Sequence, residues 1–394
     1  MKWQTLTLED LASVQRGKFS ARPRNDPRYY GGEIPFIQTG DVAKGNGRVS
    51  SYSQTLNADG LSVSKLFPKG SLAITIAANI GDVAQIDFDF ACPDSLVVVR
   101  ASEGVDVSWL RYCIAAKKQL LESLAPQNAQ KNINLDVLRP LTIEVPTLQE
   151  QQRIAEILEH WDTAIEKTER LIAAKESSQR GWMQKLVMDR AFPEHRLSEC
   201  VHRVNRKNTG GNGHPLTISG RDGLISQSHY FDKRIAAETT DHYTQLKRGE
   251  FAYNKSYSTG YPYGAIKRLD AYDEGIVSTL YLCFALNPGA PLLSDYLIHF
   301  CEVGGFNHQI HKVAQEGARN HGLLNVAADD FFAMKLPVPP IEEQSRVISI
   351  LGDANLELTL LRKSLDQLRK QKRGLMQKLL TGQWRVRLDT LQGD

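Results

Sequence analysis

Two loops of this sequence concentrate basic side chains where they could bind phosphate groups. Each loop follows a short apolar segment, so the two loops are candidates for equivalent positions in two related domains. For any single residue a solvated loop is the simpler interpretation, but two such loops favour a shared binding role. The basic residues are Arg16, Lys18, Arg22 and Arg24 in RGKFSARPRNDPR, which contains one acid, and Arg203, Arg206 and Lys207 in HRVNRKNTGGNG, which contains none.

Three further sets of side chains are suited to contacts with nucleic acid. Amides and guanidiniums can form bidentate hydrogen bonds with adenine or guanine edges in the major groove. Tyrosines could contact phosphates or stack on bases, although packing in a core or a turn explains them equally well. The sets are Gln127, Gln130 and Lys131 in PQNAQKNIN; Arg319, Asn320 and His321 in QEGARNHG; and Lys255, Tyr257 and Tyr261 in YNKSYSTGYPYG.

The sequence carries no recognisable catalytic motif. It contains no GxxxxGK[ST] phosphate loop, no GxGxxG that opens a helix after a strand, and no Asn/Asp-Pro-Pro-aromatic signature of amino-methyltransferases. The closest pair of histidines, His308 and His311, lacks a visible third metal ligand, so a surface turn is the better interpretation. We therefore predict a binding protein without catalytic residues or a metal site.

Two segments that could position these loops occur twice in the sequence. VPTLQEQQRIAEIL begins at Val145 and VPPIEEQSRVISIL at Val338, and RGWMQKL and RGLMQKL begin at Arg180 and Arg373. Both pairs are 193 positions apart in a chain of 394 residues. This offset is too long for a solenoid repeat, whose units span about 20–50 residues. It indicates two copies of one large module.

Each repeated segment has the pattern of a long helix. Thr147 and Glu150 form a capping box at the first start, and apolar residues then recur every three or four positions, as in a coiled coil. The helices should run from near Leu148 to Val187 and from near Ile341 to Leu380, each about 60 Å long at 1.5 Å per residue. The residues predicted to pair the helices are Leu158, Trp161, Ile165, Ile172 and Leu186 in the first, and Leu351, Leu358, Leu361, Leu365, Leu368 and Leu379 in the second.

Equal spacing in the two copies favours a pseudo-twofold, antiparallel pair of helices. Two independent amphipathic helices, each packed on its own domain, are the alternative. Gly181 and Gly374 occupy matching late positions and indicate either close approach of another backbone or termination of the helix. The sequence does not choose between these roles.

Two mixed segments, rich in short strands, precede the helices. Strands are expected in IPFIQTG, GSLAITIAANIGDVAQID, DSLVVVR, PLTISGRDGLIS, GEFAYN, GAIKRL and TLYLCFAL, with one helix in VSWLRYCIAAKKQLLESL and one in LLSDYLIHFCEVGGF. We predict an α+β fold with a first β-rich domain at 1–144, a helix at 145–190, a second β-rich domain at 191–337, and a helix with a tail at 338–394. The two β-rich domains share a layout but differ strongly in sequence.

Composition is that of an ordinary soluble protein. Hydrophobic residues make up 41% and charged residues 24%, and the net charge of +3 does not by itself identify a nucleic-acid binder. The five cysteines form no CxxC pair, which favours reduced thiols and a cytoplasmic location. The N-terminus lacks the apolar stretch of a signal peptide, and SLAITIAANI is too short to span a bilayer.

The doubled helix motifs, together with IPFIQTGDV and LISQSHYFDKRIA, give the chain a resemblance to the specificity subunits of type I restriction-modification systems. That resemblance covers essentially the whole chain. It implies that each β-rich domain is a target-recognition domain reading one half of a split DNA site, and that the paired helices are spacers that set the gap. It also implies partners: two adenine-methylating subunits that use S-adenosylmethionine, and restriction subunits that use ATP and Mg²⁺.

We therefore expect a non-catalytic, DNA-recognising subunit that reads an asymmetric, bipartite site and holds adenine methyltransferases over it. The first rival is a helical scaffold carrying two β-rich domains that bind other ligands or proteins. The second is a nuclease or methyltransferase with a degenerate motif. Binding to DNA that weakens steeply with salt would argue against the scaffold, and inactivity of the isolated chain would argue against the enzyme.

Overall fold

The computed structural model describes residues 3–77, 79–125, 132–188, 192–220, 222–227, 240–257, 260–316 and 324–387. The chain divides into two compact units. Unit 1 comprises Met1–Glu169 with Lys363–Asp394, and unit 2 comprises Arg170–Arg362. Each long helix contributes one part to unit 1 and the other part to unit 2, so each unit contains a β-rich domain and segments of both helices.

Unit 1 is built on a five-stranded sheet of order β2-β10-β7-β8-β4, antiparallel except for the β4–β8 pair. Its strands are β1 (Gln4–Thr7), β2 (Ala12–Arg16), β3 (Tyr30–Pro35), β4 (Arg48–Val49), β5 (Thr55–Leu56), β6 (Leu66–Phe67), β7 (Leu72–Thr75), β8 (Val83–Ile86), β9 (Phe90–Ala91), β10 (Leu96–Ala101) and β11 (Thr142–Val145). Its helices before the first long one are α1 (Leu8–Leu11), α2 (Thr39–Lys44), α3 (Ala58–Ser62), α4 (Val107–Ala116), α5 (Lys118–Leu124) and α6 (Leu135–Leu138), with a 3₁₀ turn at Pro27–Tyr29.

The core of unit 1 lies between this sheet and α4. Trp109 and Tyr112 of α4 are buried among apolar side chains of β2, β7 and β10, together with Leu158 of the first long helix and Leu379 of the second. Burying a large apolar side chain contributes about 1.5–3 kcal/mol. One continuous core therefore joins the β-rich domain to both long helices within this unit.

Unit 2 has a four-stranded antiparallel sheet of order β13-β20-β17-β18. Its strands are β12 (Glu194–Arg196), β13 (Val201–Arg203), β14 (Leu216–Ser219), β15 (Gly223–Ser226), β16 (Thr244–Lys247), β17 (Phe251–Asn254), β18 (Ala265–Arg268), β19 (Glu274–Val277), β20 (Leu282–Leu286), β21 (Gln315–Glu316), β22 (Leu324–Asn325) and β23 (Lys335–Pro337). The two long helices are α7 (Leu148–Val187) and α12 (Ile341–Leu380), and the short helices of unit 2 are α8 (Leu197–Cys200), α9 (Ser294–Glu302), α10 (Asn307–Val313) and α11 (Ala328–Phe332).

The two units share a frame. In each, the first strand pairs antiparallel with the strand that leads into a long helix, β1 with β11 and β12 with β23. In each, a one-turn helix then leads to a strand that pairs with the main-sheet strand that comes last in the sequence. These pairs are β2 with β10 and β13 with β20. The main sheets of the two units differ in the number of strands and in strand order. The α+β fold class and the internal repeat predicted from the sequence are confirmed.

The long helices begin and end where the sequence pattern predicted. The Glu150 amide donates to the Thr147 hydroxyl at 3.4 Å, a cap at the start of α7. The pairing of α7 and α12 is antiparallel. Within unit 1, Asp162 pairs with Lys372, and Glu169 pairs with Arg369 at 2.6 Å, so the partner number falls as the α7 number rises.

The same antiparallel direction holds within unit 2. Arg362 pairs with Glu176 at 2.6 Å, and the Gln179 amide donates to Asn355 Oδ1 at the same distance. Burial follows the heptad spacing on both helices. The fully buried seam positions are Leu158, Ile165 and Ile172 on α7, and Leu351, Leu358, Leu365 and Leu379 on α12, whereas Trp161, Leu186, Leu361 and Leu368 are half-buried.

Three details differ from expectation. IPFIQTG is not one strand, because only Ile34 and Pro35 belong to β3 and α2 begins at Thr39. The helix expected in VSWLRYCIAAKKQLLESL is interrupted at Lys117. Gly181 and Gly374 lie inside helices that continue to Val187 and Leu380, and a Cβ at either position would meet no atom within 4 Å among the described residues. Neither role considered for these glycines is therefore seen.

Candidate nucleic-acid interface

The first basic loop begins at the end of β2 and contacts Asp94 in the connection between β9 and β10. Arg16 Nε donates to the backbone oxygen of Asp94 at 2.6 Å. Arg24 donates to both carboxylate oxygens of Asp94 at 2.9 and 3.0 Å. The fold therefore brings Arg16 and Arg24 together, and Asp94 neutralises part of their charge. The hydrogen bonds of these two arginines stabilise the loop conformation, and their guanidinium groups also give it positive charge.

Like Arg16 and Arg24, Lys18 and Arg22 are exposed, but no hydrogen bond joins them to Asp94. Arg22 Nη1 donates to the Ala21 oxygen at 2.8 Å, and neither side chain forms an ion pair with a described residue. Because Phe19 and Ala21 between them are buried, the backbone is fixed while the charges face solvent. This alternation suits contact with a phosphate backbone.

An open cavity of about 690 Å³ lies beside this loop in unit 1. Its wall combines aromatic and amide side chains, and Gln38 Nε2 donates to Gln54 Oε1 at 3.0 Å. Sequence reasoning singled out neither Gln38 nor Gln54, which lie 16 residues apart and meet only in the folded domain. The lining residues are Phe19, Arg24, Asn25, Pro27, Tyr30, Phe36, Gln38, Ser53, Gln54, Pro93 and Ser95.

The second basic loop follows β13, and two of its basic side chains form hydrogen bonds with other parts of the domain. Arg206 donates to both carboxylate oxygens of Glu250 at 3.0 and 3.1 Å and to the Gln245 oxygen. Lys207 Nζ donates to the His242 oxygen at 3.1 Å. The charge of Arg206 is thus neutralised inside the domain, and its observed contacts hold the loop in place.

Arg203 and Lys255 form a different positive site in unit 2. Burial, and then the charge of Arg203, lower the pKa of the Lys255 ammonium. Neither cation has an ion pair among the described residues. Tyr257, two residues farther along, has 64% of its surface exposed. An anion bound between these groups would relieve the repulsion between the two cations.

Tyr261 is engaged within its own domain. Its hydroxyl oxygen lies 2.9 Å from Gly220 O and 2.7 Å from Glu302 Oε2, two acceptors for its single proton, and it accepts from Lys267 Nζ at 2.9 Å. Burial alone would lower the pKa of Lys267, but the Glu302 charge and these hydrogen bonds raise it above its ordinary value. Lys267 therefore stays protonated, and the network fixes Tyr261 against α9.

Six of the predicted reading residues lie outside the described part of the chain: Gln127, Gln130, Lys131, Arg319, Asn320 and His321. Among the residues that are described, no group of three or more His, Cys, Asp or Glu side chains could hold a metal ion. No helix in those ranges is long and apolar enough to cross a membrane.

Comparison with known proteins shows which protein family this chain resembles. Residues 1–175 match the family described as "Type I restriction modification DNA specificity domain". The type I restriction enzyme MjaIX specificity subunit of Methanocaldococcus jannaschii is 25% identical over 172 residues, which cover 42% of this chain and 39% of that protein. A protein of the same organism, described as a type I restriction enzyme MjaX specificity subunit, is 22% identical over 98% of this chain and 94% of its own length.

Solved structures show the same fold over nearly the full length. The S subunit of a type I restriction-modification system from M. genitalium aligns with a TM-score of 0.54 and 15% identity, covering 96% of each chain. The HsdS subunit from Thermoanaerobacter tengcongensis aligns with a TM-score of 0.51, 15% identity and 97% coverage of each chain. The resemblance inferred from the repeated helices is confirmed.

Proposed function

Since this chain is related to the specificity subunits of type I restriction-modification systems, we propose that it is the DNA-recognising subunit of such a system. Each β-rich domain reads one half of a split DNA site. The single observation that carries the proposal is the match of residues 1–175 to the DNA specificity domain family. The repeated frame extends the same role to the domain of unit 2.

An asymmetric site is supported by the differences between the two domains. Their shared parts are the strands and helices that join the long helices, whereas the main sheets have five strands in one and four in the other. The basic loops after β2 and β13 start at equivalent points but carry different side chains and different internal ion pairs. Two different surfaces on one frame should read two different half-sites.

In this proposal the chain recognises DNA and leaves the chemistry to its partners. Two methyltransferase subunits dock on it and modify an adenine in each half-site with S-adenosylmethionine, and restriction subunits using ATP and Mg²⁺ join that complex in the cytoplasm. Phosphate contacts supply affinity and hold the register, while contacts with base edges supply specificity. We propose no cofactor in this chain and no catalytic residue.

The first test is methylation with and without the partner subunits. Cells carrying this chain and its methyltransferase partner should methylate adenine in a split motif with two unlike halves, as read by sequencing of modified DNA. The chain alone should transfer no methyl group and should give no tight S-adenosylmethionine binding in calorimetry. A continuous or palindromic motif, or tight cofactor binding by the single chain, would contradict the proposal.

A second test concerns the exposed cations of the first loop. Replacing Lys18 or Arg22 by alanine should weaken binding to specific and unrelated duplexes by a similar factor. Each replacement should also reduce the slope of log affinity against log salt by about one. Lys69→Ala removes an exposed cation outside this loop in the same unit and serves as the control. Equal slopes for all three variants would remove this loop from the interface.

A further inference from the structure

Two buried glutamines stand at the start of the long helices. Gln151 lies in the first turn of α7 and Gln344 in the first turn of α12, 193 positions apart. Their exposed fractions are 2% and 0%. A fully buried amide must satisfy both its donor and its acceptor within the protein, so the partners of these two side chains show what each one holds.

In unit 1, the Gln151 side chain joins the start of α7 to the segment just before it and to α4, whose N-cap lies 45 residues earlier. Its Nε2 donates to the Pro146 oxygen at 3.1 Å, just after β11. Its Oε1 accepts from the Asp106 amide at 2.9 Å. Asp106 is the N-cap of α4, where its own side chain accepts from the Trp109 amide at 2.8 Å. One side chain thus ties the strand, the core helix and the long helix together.

In unit 2, Gln344 repeats this arrangement. Its Nε2 donates to the Pro339 oxygen at 2.7 Å, just after β23, and also to the Pro291 oxygen at 2.7 Å. Its Oε1 accepts from the amide of Leu293, the N-cap of α9, at 2.7 Å. The N-cap residues differ in type, Asp106 in unit 1 and Leu293 in unit 2, yet the amide binds a proline carbonyl and an N-cap amide in both units.

These bonds add a directional constraint to the apolar core that already joins each domain to the long helices. The N-cap amide and the proline carbonyl are buried backbone groups, and leaving such groups without partners costs about 1–3 kcal/mol. A tilt of the β-rich domain about the start of the long helix would stretch these bonds together. We propose that Gln151 and Gln344 are positioning residues that set the angle of each recognition domain on its own long helix.

This inference rests on the proposed function, because the consequence of a fixed angle appears on DNA. A complex with rigid domains should methylate a site with one gap between its halves and should reject a gap that is one base pair longer or shorter. Loosening one domain should relax that discrimination. The glutamines are buried, so they act through the domain and do not contact DNA themselves.

The experiment uses the full complex of this chain with its methyltransferase partner. Duplexes carry both half-sites with the native gap or a gap altered by one base pair, and the methylation rates are compared. Gln151→Met and Gln344→Met keep the volume of the side chain but remove its hydrogen bonds. Gln152→Met and Gln367→Met make the same change at exposed positions of α7 and α12 and serve as controls.

We expect each buried variant to lower the ratio of native-gap to altered-gap methylation about tenfold, while the controls keep the wild-type ratio. Rates are normalised to the folded fraction, and Gln151→Asn, with a shorter side chain, provides a milder second variant. An unchanged ratio in folded variants would overturn the inference. Failure of every buried variant to fold would also overturn it, by assigning the glutamines to stability alone. Failure of the wild-type complex to methylate a split site would instead reject the proposed function.

Discussion

A chain lengthened by one heptad in each long helix should direct methylation to a site whose halves lie about three base pairs farther apart. Seven residues add about 10 Å to a helix at 1.5 Å per residue, and B-DNA rises about 3.4 Å per base pair. The insertions are placed after Ile172 on α7 and after Leu365 on α12, two equivalent seam positions that are both buried. The two half-sites themselves should stay unchanged.

The seven-residue length matters because it preserves the seam. The ion pairs Glu169–Arg369 and Glu176–Arg362 flank the insertions and should re-form. Inserting four residues in place of seven would create a stutter and should impair pairing, which makes it the control for length without register. Methylated DNA from each variant is sequenced. A folded, active double insertion that keeps the original gap would show that these helices do not measure DNA.

We expect the largest loss of stability when a charged side chain is removed where α4 contacts the two long helices. Asp162 accepts from the Tyr112 hydroxyl at 2.5 Å, forms an ion pair with Lys372, and lies 4.0 Å from Arg111. Asp162→Ala would leave two cations in a partly buried site without their counter-charge. We expect the free energy of unfolding of unit 1 to fall by about 2 kcal/mol.

The repeat offers a matched control for this substitution. Asn355 is equivalent to Asp162 and accepts from Gln179, which is equivalent to Lys372, so unit 2 has an amide pair where unit 1 has an ion pair. Asn355→Ala removes a neutral hydrogen bond and should cost about 1 kcal/mol. Urea denaturation is followed by far-ultraviolet circular dichroism, which reports on both units, and by tryptophan fluorescence, which reports mainly on unit 1 because it holds four of the five tryptophans. Equal losses in the two variants would show that the charge on Asp162 is unimportant.

The sequence was informative where a pattern is periodic or repeated. The bounds of α7 and α12 and their antiparallel pairing follow from heptads, a cap and an offset, all of which are local or counted along the chain. Turn residues located the strands β7, β8 and β10 of one main sheet and β17, β18 and β20 of the other, but not the strands that join the sheets to the long helices. The prediction of one strand in IPFIQTG was wrong. Phe36 and Ile37 are buried in the core, as residues of a strand would be, but β3 ends before them at Pro35.

Contacts between distant residues had no such signal. The pairing of Arg24 with Asp94 and of Arg206 with Glu250 depends on strands that meet only in the folded domain. The partners of Gln151 and Gln344 lie 45 and 51 residues away at the helix caps. The sequence therefore located basic loops but not which of their charges the protein itself neutralises. The interface role of Lys18, Arg22, Arg203 and Lys255 stays a prediction.

Two ion pairs between the long helices place the acid on α7 and the base on α12, whereas Lys175 and Glu357 pair with the opposite polarity. Glu169 and Glu176 lie on α7, and their equivalents one repeat later, Arg362 and Arg369, lie on α12. If α7 met a second copy of itself in the same antiparallel register, Glu169 would face Glu176 twice, and two copies of α12 would oppose arginine to arginine. Such like-charge contacts are unfavourable. At these two pairs, α7 and α12 are therefore matched in charge to each other and not to a second copy of themselves.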